Sequence, residues 1–171
     1  LSEADVQRLI GMEDNKRNKA LLGLIYIAGL RVSEACSLKW RDVQPASDGG
    51  YVTVFGKGDK TRTILIGKKI YDELLTLKGE AGANDPVFRS QKGGPLSPSQ
   101  AWRIVKQAAC RAGINPDVSP HWLRHAHASH ALDHGCPIHL VQATLGHASV
   151  ATTGRYLHAR PNDSSARYLV S

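Results

Sequence analysis

The sequence predicts a mixed α/β fold that is mostly α-helical with a small antiparallel β-sheet. Apolar residues recur at helical spacing in several segments, and capping residues, prolines and glycines bound these segments. Two short stretches, 51–55 and 61–66, are rich in β-branched and aromatic residues, and the glycine-rich run GKGDK joins them as in a β-hairpin. With 171 residues and 42% hydrophobic content, the chain has the size and apolar content of one domain.

The first part of the chain carries three predicted helices. Ser2 and Asp5 have the spacing of a capping box, so the first helix begins almost at the start of the chain. A second, largely buried helix covers 14–28, and a third covers about 33–38. Arg31 is therefore expected at a junction between two helices.

The remainder reads as short helices separated by loops. Three of these helices open at a proline, which has a backbone angle suited to a first turn, and a glycine closes each of them. The predicted elements are helices at 68–77, 97–113, 119–135 and 137–146, a further helix from Ser149, loops at 79–85 and 90–95, and a short strand at 87–88.

The charge balance favours a polyanionic partner. Lys and Arg outnumber Asp and Glu by 22 to 15, which gives a net charge of +7. Phosphates gain most from such a positive field, although a merely soluble basic protein is equally compatible with the charge alone.

Cysteine usage and hydropathy predict a cytoplasmic protein. The three cysteines, Cys36, Cys110 and Cys136, include no CxxC pair, which argues against a disulfide framework or a cysteine zinc site. The longest apolar run, 20–30, is too short to span a bilayer, and no charged leader opens the chain. We therefore expect no membrane partner.

All eight histidines fall within 121–158. His121 and His125 are four residues apart, as zinc ligands on a helix often are, but the glutamate of a metalloprotease helix does not lie between them. A metal site is therefore the weaker interpretation, and we expect no metal. Several other histidines are interpreted as packing or helix-surface residues: His127, His130 and His134.

His121 and Arg124 form an HxxR motif at the predicted start of a helix. The three-residue spacing puts both side chains on one face, and the positive end of the helix dipole adds to their preference for an anion. This pattern is compatible with a phosphate site. Taken alone, the motif is better explained by a structural arginine beside an acidic neighbour and a buried histidine.

Lys57 and Tyr156 are weak candidate site residues when each is taken alone, and only the other motifs make them significant. Lys57 lies between Gly56 and Gly58 in the hairpin connection, where glycine lets the backbone approach a ligand, although a solvated lysine turn is commoner. The sequence contains no P-loop or GxGxxG motif that would indicate a nucleotide. Tyr156 follows His147 by nine residues, in SVATTGRYLH.

In order, the segments GLRVSEACSL, GKGDKTR, HWLRHAHASHAL and LGHASVATT, followed by Tyr156, resemble the tyrosine recombinase (phage integrase) family. The order and the spacings agree over nearly the whole chain. The resemblance implies that residues 1–171 form the family's catalytic domain, without its N-terminal core-binding domain. His127 departs from the pattern, because such proteins commonly carry an aromatic residue there.

The resemblance implies an enzyme that cleaves and rejoins double-stranded DNA through a 3′-phosphotyrosyl intermediate, without metal, cofactor or ATP. Glu34 is expected to orient the site, because a carboxylate facing the phosphate would repel it. The catalytic residues implied are Tyr156 as nucleophile, Arg31 and Arg124 as ligands of the non-bridging oxygens, Lys57 as general acid, His121 as general base, and His147 as a hydrogen-bond donor.

The resemblance also implies other protomers as partners, four in the synaptic complex, with a weak or monomeric state alone and a location at the nucleoid. Residues 159–171 are expected to dock on a neighbouring protomer there, because 166–170 suggests a short apolar helix. Three alternatives remain: a type IB topoisomerase, a DNA-binding module without catalysis, and a histidine-rich metal protein. The compact length and the LGH pattern favour a recombinase over the topoisomerase.

Overall fold

A computed structural model describes residues 1–56, 60–115, 117–146 and 163–170 of the chain. These residues form α-helices around a three-stranded antiparallel sheet, which confirms the predicted fold class. The elements are α1 (Glu3–Gly11), α2 (Lys16–Ala28), α3 (Val32–Cys36), β1 (Val43–Ala46), β2 (Gly49–Phe55), β3 (Thr61–Ile66), α4 (Lys68–Leu75), α5 (Pro98–Arg111), α6 (Pro120–Asp133) and α7 (Ile138–Leu145), with 3₁₀ helices at Trp40–Asp42 and Ser165–Tyr168.

Helix α2 is the central element of the core. Nine consecutive residues, from Ala20 to Ala28, are buried, because the helix is covered by α1, α3, α4, α6 and the sheet. It begins at Lys16 rather than at the predicted Asp14, since Asn15 caps it by accepting a hydrogen bond from the Asn18 amide at 3.1 Å.

The predicted capping boxes are confirmed at two helices. In α1, Ser2 Oγ accepts from the Asp5 amide at 3.0 Å, and Asp5 Oδ2 accepts from the Ser2 amide at 3.2 Å. Ser97 and Gln100 make the same reciprocal pair at the start of α5, at 3.2 and 2.9 Å. Helices α6 and α7 also begin and end close to the predicted prolines and glycines.

The predicted hairpin is confirmed as β2 and β3, with Val52 opposite Ile64. Strand β1 pairs with the other edge of β2, and the sequence did not predict it because it contains Pro45. Proline donates no ladder hydrogen bond and is tolerated on an edge strand such as this one. One face of the hairpin is buried, through Val52, Val54, Ile64 and Ile66.

The prediction of a short strand at 87–88 is wrong. Val87 and Phe88 are buried as a strand would require, but the only pairing described there is a single bridge on each side, Lys39 with Pro86 and Arg89 with Pro95. Each bridge includes a proline, which cannot donate to a continuing ladder.

Residues 163–170 return to the body of the same chain. The Ser164 hydroxyl donates to the Leu65 carbonyl at 2.6 Å, and Ala166 is buried. This segment contacts β3, α6 and α7 of its own chain. The docking of 159–171 on a neighbouring protomer in the synaptic complex stays a prediction. Among the helices that the structure describes, none reaches the length and apolarity that a bilayer crossing requires.

Candidate active site

Arg31 lies at the predicted junction, where α2 has ended and α3 begins. Its backbone amide donates to Glu34 Oε1 at 2.8 Å, which caps the first turn of α3. Its side chain is 42% exposed, and Nη1 lies 3.9 Å from Glu34 Oε2. Arg31 thus presents an accessible cation beside a buried carboxylate.

Arg124, in the second turn of α6, is held between the ends of two other helices. Nη1 donates to the Gly29 carbonyl at 2.6 Å, and Nη2 donates to the Leu145 carbonyl at 2.7 Å. These carbonyls end α2 and α7, where unpaired carbonyl groups and the helix dipole favour a cation. The side chain is only 11% exposed, so its orientation is fixed.

Glu34 connects the two arginines to a third. Arg62 of β3 donates to both of its carboxylate oxygens, Nη1 to Oε2 at 2.6 Å and Nη2 to Oε1 at 3.0 Å. Arg124 Nη1 is 3.9 Å from Glu34 Oε1. Among the described residues, three guanidiniums therefore share one carboxylate, which leaves an excess of two positive charges that an anion can neutralise.

The ionisation of the cluster follows from this crowding. Burial, followed by the positive charges of Arg31 and Arg62, lowers the pKa of Arg124 to about 10, so Arg124 stays protonated near neutral pH. Burial acts to raise the pKa of Glu34, but the hydrogen bond and charge of Arg62 outweigh it and hold that pKa below its ordinary value. Glu34 is therefore an anion at neutral pH.

Sequence reasoning missed Arg62, although the sequence carried a signal for it. Side chains two residues apart point to the same face of a strand, so Arg62 shares a face with Ile64 and Ile66 of the predicted strand. An arginine on the buried face of a hairpin needs an acidic partner, and that requirement leads to a buried carboxylate such as Glu34.

His121 lies at the start of α6 and is exposed. Its ring meets that of Trp102 in α5 edge to face, with 6.0 Å between the ring centroids. The two residues of the HxxR motif therefore have different surroundings: Arg124 is fixed by helix ends, and His121 lies at the surface against an aromatic ring.

Three of the candidate residues, Lys57, His147 and Tyr156, lie outside the described residues. The residues that precede two of them are close to the arginine cluster. A Cβ placed on Gly56 would lie 3.7 Å from Glu34 Oε2, and one on Gly146 would lie 3.1 Å from Arg62 Nη1.

The chain matches the phage integrase family over residues 1–163, nearly its whole length. This chain belongs to the phage integrase family. The resemblance carried by the sequence motifs is confirmed.

Relatives of this phage integrase family member include the tyrosine recombinase XerD of Chlorobaculum tepidum, which is 40% identical over 149 residues, covering 83% of the chain and 48% of the relative. Among solved structures, XerA recombinase has a TM-score of 0.78 and 36% identity, covering 98% of the chain and 60% of XerA. XerH recombinase bound to difH substrate, a pre-cleavage complex, has a TM-score of 0.74 and 27% identity, covering 90% of the chain and 48% of XerH. The chain spans roughly half to three fifths of the length of these proteins.

Three other histidines of this family member have packing or surface roles, as the sequence predicted. His127 is buried, its Nδ1 donates to the Tyr26 carbonyl at 2.8 Å, and its Nε2 accepts from the Ser165 hydroxyl at 2.7 Å. His130 is hydrogen-bonded to the Tyr26 hydroxyl at 2.8 Å, and His134 pairs with Glu3. Among the described residues, no three His, Cys, Asp or Glu side chains lie together as a metal site would need.

Proposed function

We propose that residues 1–171 are the catalytic domain of a site-specific DNA recombinase, which cleaves and rejoins duplex DNA through a 3′-phosphotyrosyl intermediate without metal or ATP. The observation that carries the proposal is the cluster of Arg31, Arg62 and Arg124 around Glu34, with its excess of positive charge, in a chain of the phage integrase family. The XerD relative, named a tyrosine recombinase, and the XerH complex with its difH substrate support the assignment of DNA as substrate.

The chemistry needs a nucleophile, stabilisation of charge at phosphorus, and a proton for the leaving oxygen. In our proposal, Tyr156 attacks the phosphorus and becomes joined to the 3′-phosphate, while the 5′-oxygen leaves with a proton from Lys57. Arg31 and Arg124 bind the non-bridging oxygens, and the planar fork of a guanidinium suits two oxygens of one phosphate. The fixed orientation of Arg124 supports this role, because a preorganised cation needs no rearrangement as charge develops.

Two histidines complete the proposed mechanism. His121 helps to remove the proton of the tyrosine hydroxyl, a role compatible with its exposure at the start of α6. His147 donates a hydrogen bond to a phosphate oxygen. Rejoining reverses these steps, with the 5′-hydroxyl of another strand as the nucleophile.

Exchange between two duplexes requires several active sites. We propose that four copies of the recombinase act in the synaptic complex, because each duplex has two strands to be cut and rejoined. Alone, the chain is expected to be mainly monomeric, and it would act on DNA at the nucleoid, in the cytoplasm.

The proposal is tested by covalent capture of DNA. The substrate is a nicked duplex that loses a short fragment on cleavage, which traps the covalent adduct. Its sequence is first selected from a randomised pool of such duplexes by covalent capture on the chain. The selected duplex is then incubated with the protein, and the products are separated on a denaturing gel. Tyr156→Phe should form no adduct yet bind DNA nearly as well as the unsubstituted chain, because it loses one hydroxyl and no charge. Tyr168→Phe is the matched control, since this tyrosine lies in the tail and contacts Asp163. An adduct that persists in Tyr156→Phe would refute the nucleophile.

A further inference from the structure

Arg62 connects three separate parts of the fold through one guanidinium. It belongs to β3, and its Nε donates to the Thr144 carbonyl in the last turn of α7 at 2.7 Å. Its two terminal nitrogens donate to the carboxylate of Glu34 in α3. With 13% of its side chain exposed and both ends of the guanidinium engaged, Arg62 has little freedom to move.

The two hydrogen bonds from Arg62 fix the position of the Glu34 carboxylate relative to the other two arginines. Arg62 contacts both carboxylate oxygens at 2.6 and 3.0 Å, whereas the guanidiniums of Arg31 and Arg124 are each 3.9 Å away. A distance of 3.9 Å is an ion pair without a hydrogen bond. Glu34 therefore accepts hydrogen bonds from the Arg62 guanidinium and from the Arg31 backbone amide. It accepts none from the guanidiniums of Arg31 and Arg124, the two proposed phosphate ligands.

Loss of Arg62 would reverse this preference. A buried carboxylate without its partner is strongly unfavourable, so Glu34 would move to the nearest remaining cations. Those cations are Arg31 and Arg124, and a close carboxylate would compete with phosphate for them and repel it.

We propose that Arg62 is a positioning residue for strand cleavage: it holds Glu34 in a two-point ion pair and so keeps that carboxylate from pairing closely with Arg31 and Arg124. This inference rests on the proposed function of the site. Arg62 also anchors the end of α7 beside Gly146, and Gly56 lies next to the same ion pair, so one side chain braces the segments that precede Lys57 and His147.

The inference is tested by single-turnover cleavage of the captured nicked duplex with the chain in excess. Arg62→Met should slow cleavage roughly 100-fold, the order expected when catalytic groups are misplaced by about 1 Å, while DNA binding changes only slightly. Arg62→Lys should retain intermediate activity, because lysine keeps the charge but cannot form the planar two-point contact.

The discriminating variant combines Arg62→Met with Glu34→Gln. The neutral amide no longer competes with phosphate, so the double variant should cleave roughly 10-fold faster than Arg62→Met alone. When circular dichroism shows that the two variants are equally folded, a merely structural role gives no such rescue. The matched control is Arg111→Met, because Arg111 also pairs with a buried glutamate, Glu13, but lies at the end of α5; its cleavage rate should equal that of the unsubstituted chain.

Two results would overturn the inference while leaving the proposed function intact, provided the unsubstituted chain still forms its Tyr156-dependent adduct. They are an unchanged cleavage rate in Arg62→Met, and a double variant no faster than Arg62→Met with equal folding shown by circular dichroism. If Arg62→Met does not fold, the same comparison is made between Arg62→Lys and Arg62→Lys with Glu34→Gln. An unsubstituted chain that forms no adduct would refute both proposals together.

Discussion

At the scale of single residues, the site is organised by partners that hold charges in place. Arg124 is fixed by the carbonyls of Gly29 and Leu145, and Glu34 is fixed by Arg62. Preorganisation of this kind is what charge stabilisation at a phosphorus centre requires, because donors that are already oriented need not reorganise during the reaction.

A second residue-scale feature is the buried His127, which predicts how stability depends on pH. Burial lowers its pKa to about 4, from an ordinary value of 6.5. Between these values the unfolded chain binds a proton that the folded chain does not. Stability should therefore be unaffected by this residue above pH 6.5 and should fall as the pH drops from 6.5 to 4, by about 3 kcal/mol in all.

The measurement is the free energy of urea unfolding at several pH values. His127→Phe should be less stable at pH 7, because the Tyr26 carbonyl and the Ser165 hydroxyl lose their partner, and should show a shallower decline between pH 6.5 and 4. His139→Gln, at an exposed position, should keep the full decline. An equally steep decline in His127→Phe would mean that other groups cause it.

The sequence predicted the candidate site only in part, for a physical reason. The resemblance named Arg31 and Arg124, and the structure brings both to Glu34. The strand pattern marks Arg62 as facing the core, but it does not say which carboxylate Arg62 meets, because that partner is 28 residues away in the chain and the pairing depends on how β3 packs against α3. The catalytic roles of all six residues that the resemblance implies, including Arg31 and Arg124, stay predictions.

At the scale of elements, the helix boundaries were the most predictable part of the fold. Ser2, Ser97 and Pro120 act through neighbours only a few residues away, so their signals are local. Strand β1 was not predictable, because its pairing with β2 comes from the tertiary fold and its sequence, VQPA, has no alternating pattern.

The junction between α2 and α3 gives a prediction about stability. Gly29 has φ 63°, and a Cβ there would lie 2.5 Å from a methyl carbon of Leu145. Gly113 has φ 67° but would meet nothing within 4 Å. Gly113→Ala should therefore lose about 1 to 2 kcal/mol from backbone strain alone, and Gly29→Ala should lose more because Leu145 must also shift. Urea unfolding measures both variants, and equal losses would contradict the close approach of Leu145 to Gly29.

The segment that joins β2 to β3 contains Lys57, and its proposed role gives a prediction about chemistry. We propose Lys57 as the general acid, and replacing the bridging 5′-oxygen of the substrate with sulfur yields a thiolate that leaves without a proton. Lys57→Ala should then cleave ordinary DNA very slowly but the sulfur-bridged DNA nearly as fast as the unsubstituted chain does. Arg31→Ala should gain much less, because sulfur does not replace charge stabilisation at the non-bridging oxygens.

For each variant, single-turnover cleavage is measured on both substrates, and the rate on sulfur-bridged DNA is divided by the rate on ordinary DNA. Lys60→Ala is the control, because Lys60 lies in the same segment between β2 and β3. Equal rescue of Lys57→Ala and Arg31→Ala would assign Lys57 to phosphate positioning instead. Rescue of Lys60→Ala alone would transfer the role of acid to Lys60.

At the scale of the whole molecule, charge and architecture support the DNA substrate that we propose. The chain carries a net charge of +7, and its arginine cluster forms where α2, α3, β3, α6 and α7 come together. Elements distant in the sequence thus supply the side chains and carbonyl groups of the cluster. This explains why a small domain can hold several cations close together: the helix ends and the buried Glu34 carboxylate offset their mutual repulsion.

In the proposed reaction, Tyr156 becomes joined to the 3′ end of a cleaved DNA strand. The most direct measurement is tandem mass spectrometry of the covalent adduct after digestion with nuclease and protease, which identifies both the modified residue and the end of the DNA to which it is attached. We expect a nucleotide linked through its 3′-phosphate to Tyr156. A nucleotide linked through a 5′-phosphate, or one attached to another residue such as Tyr168, would contradict the proposed mechanism.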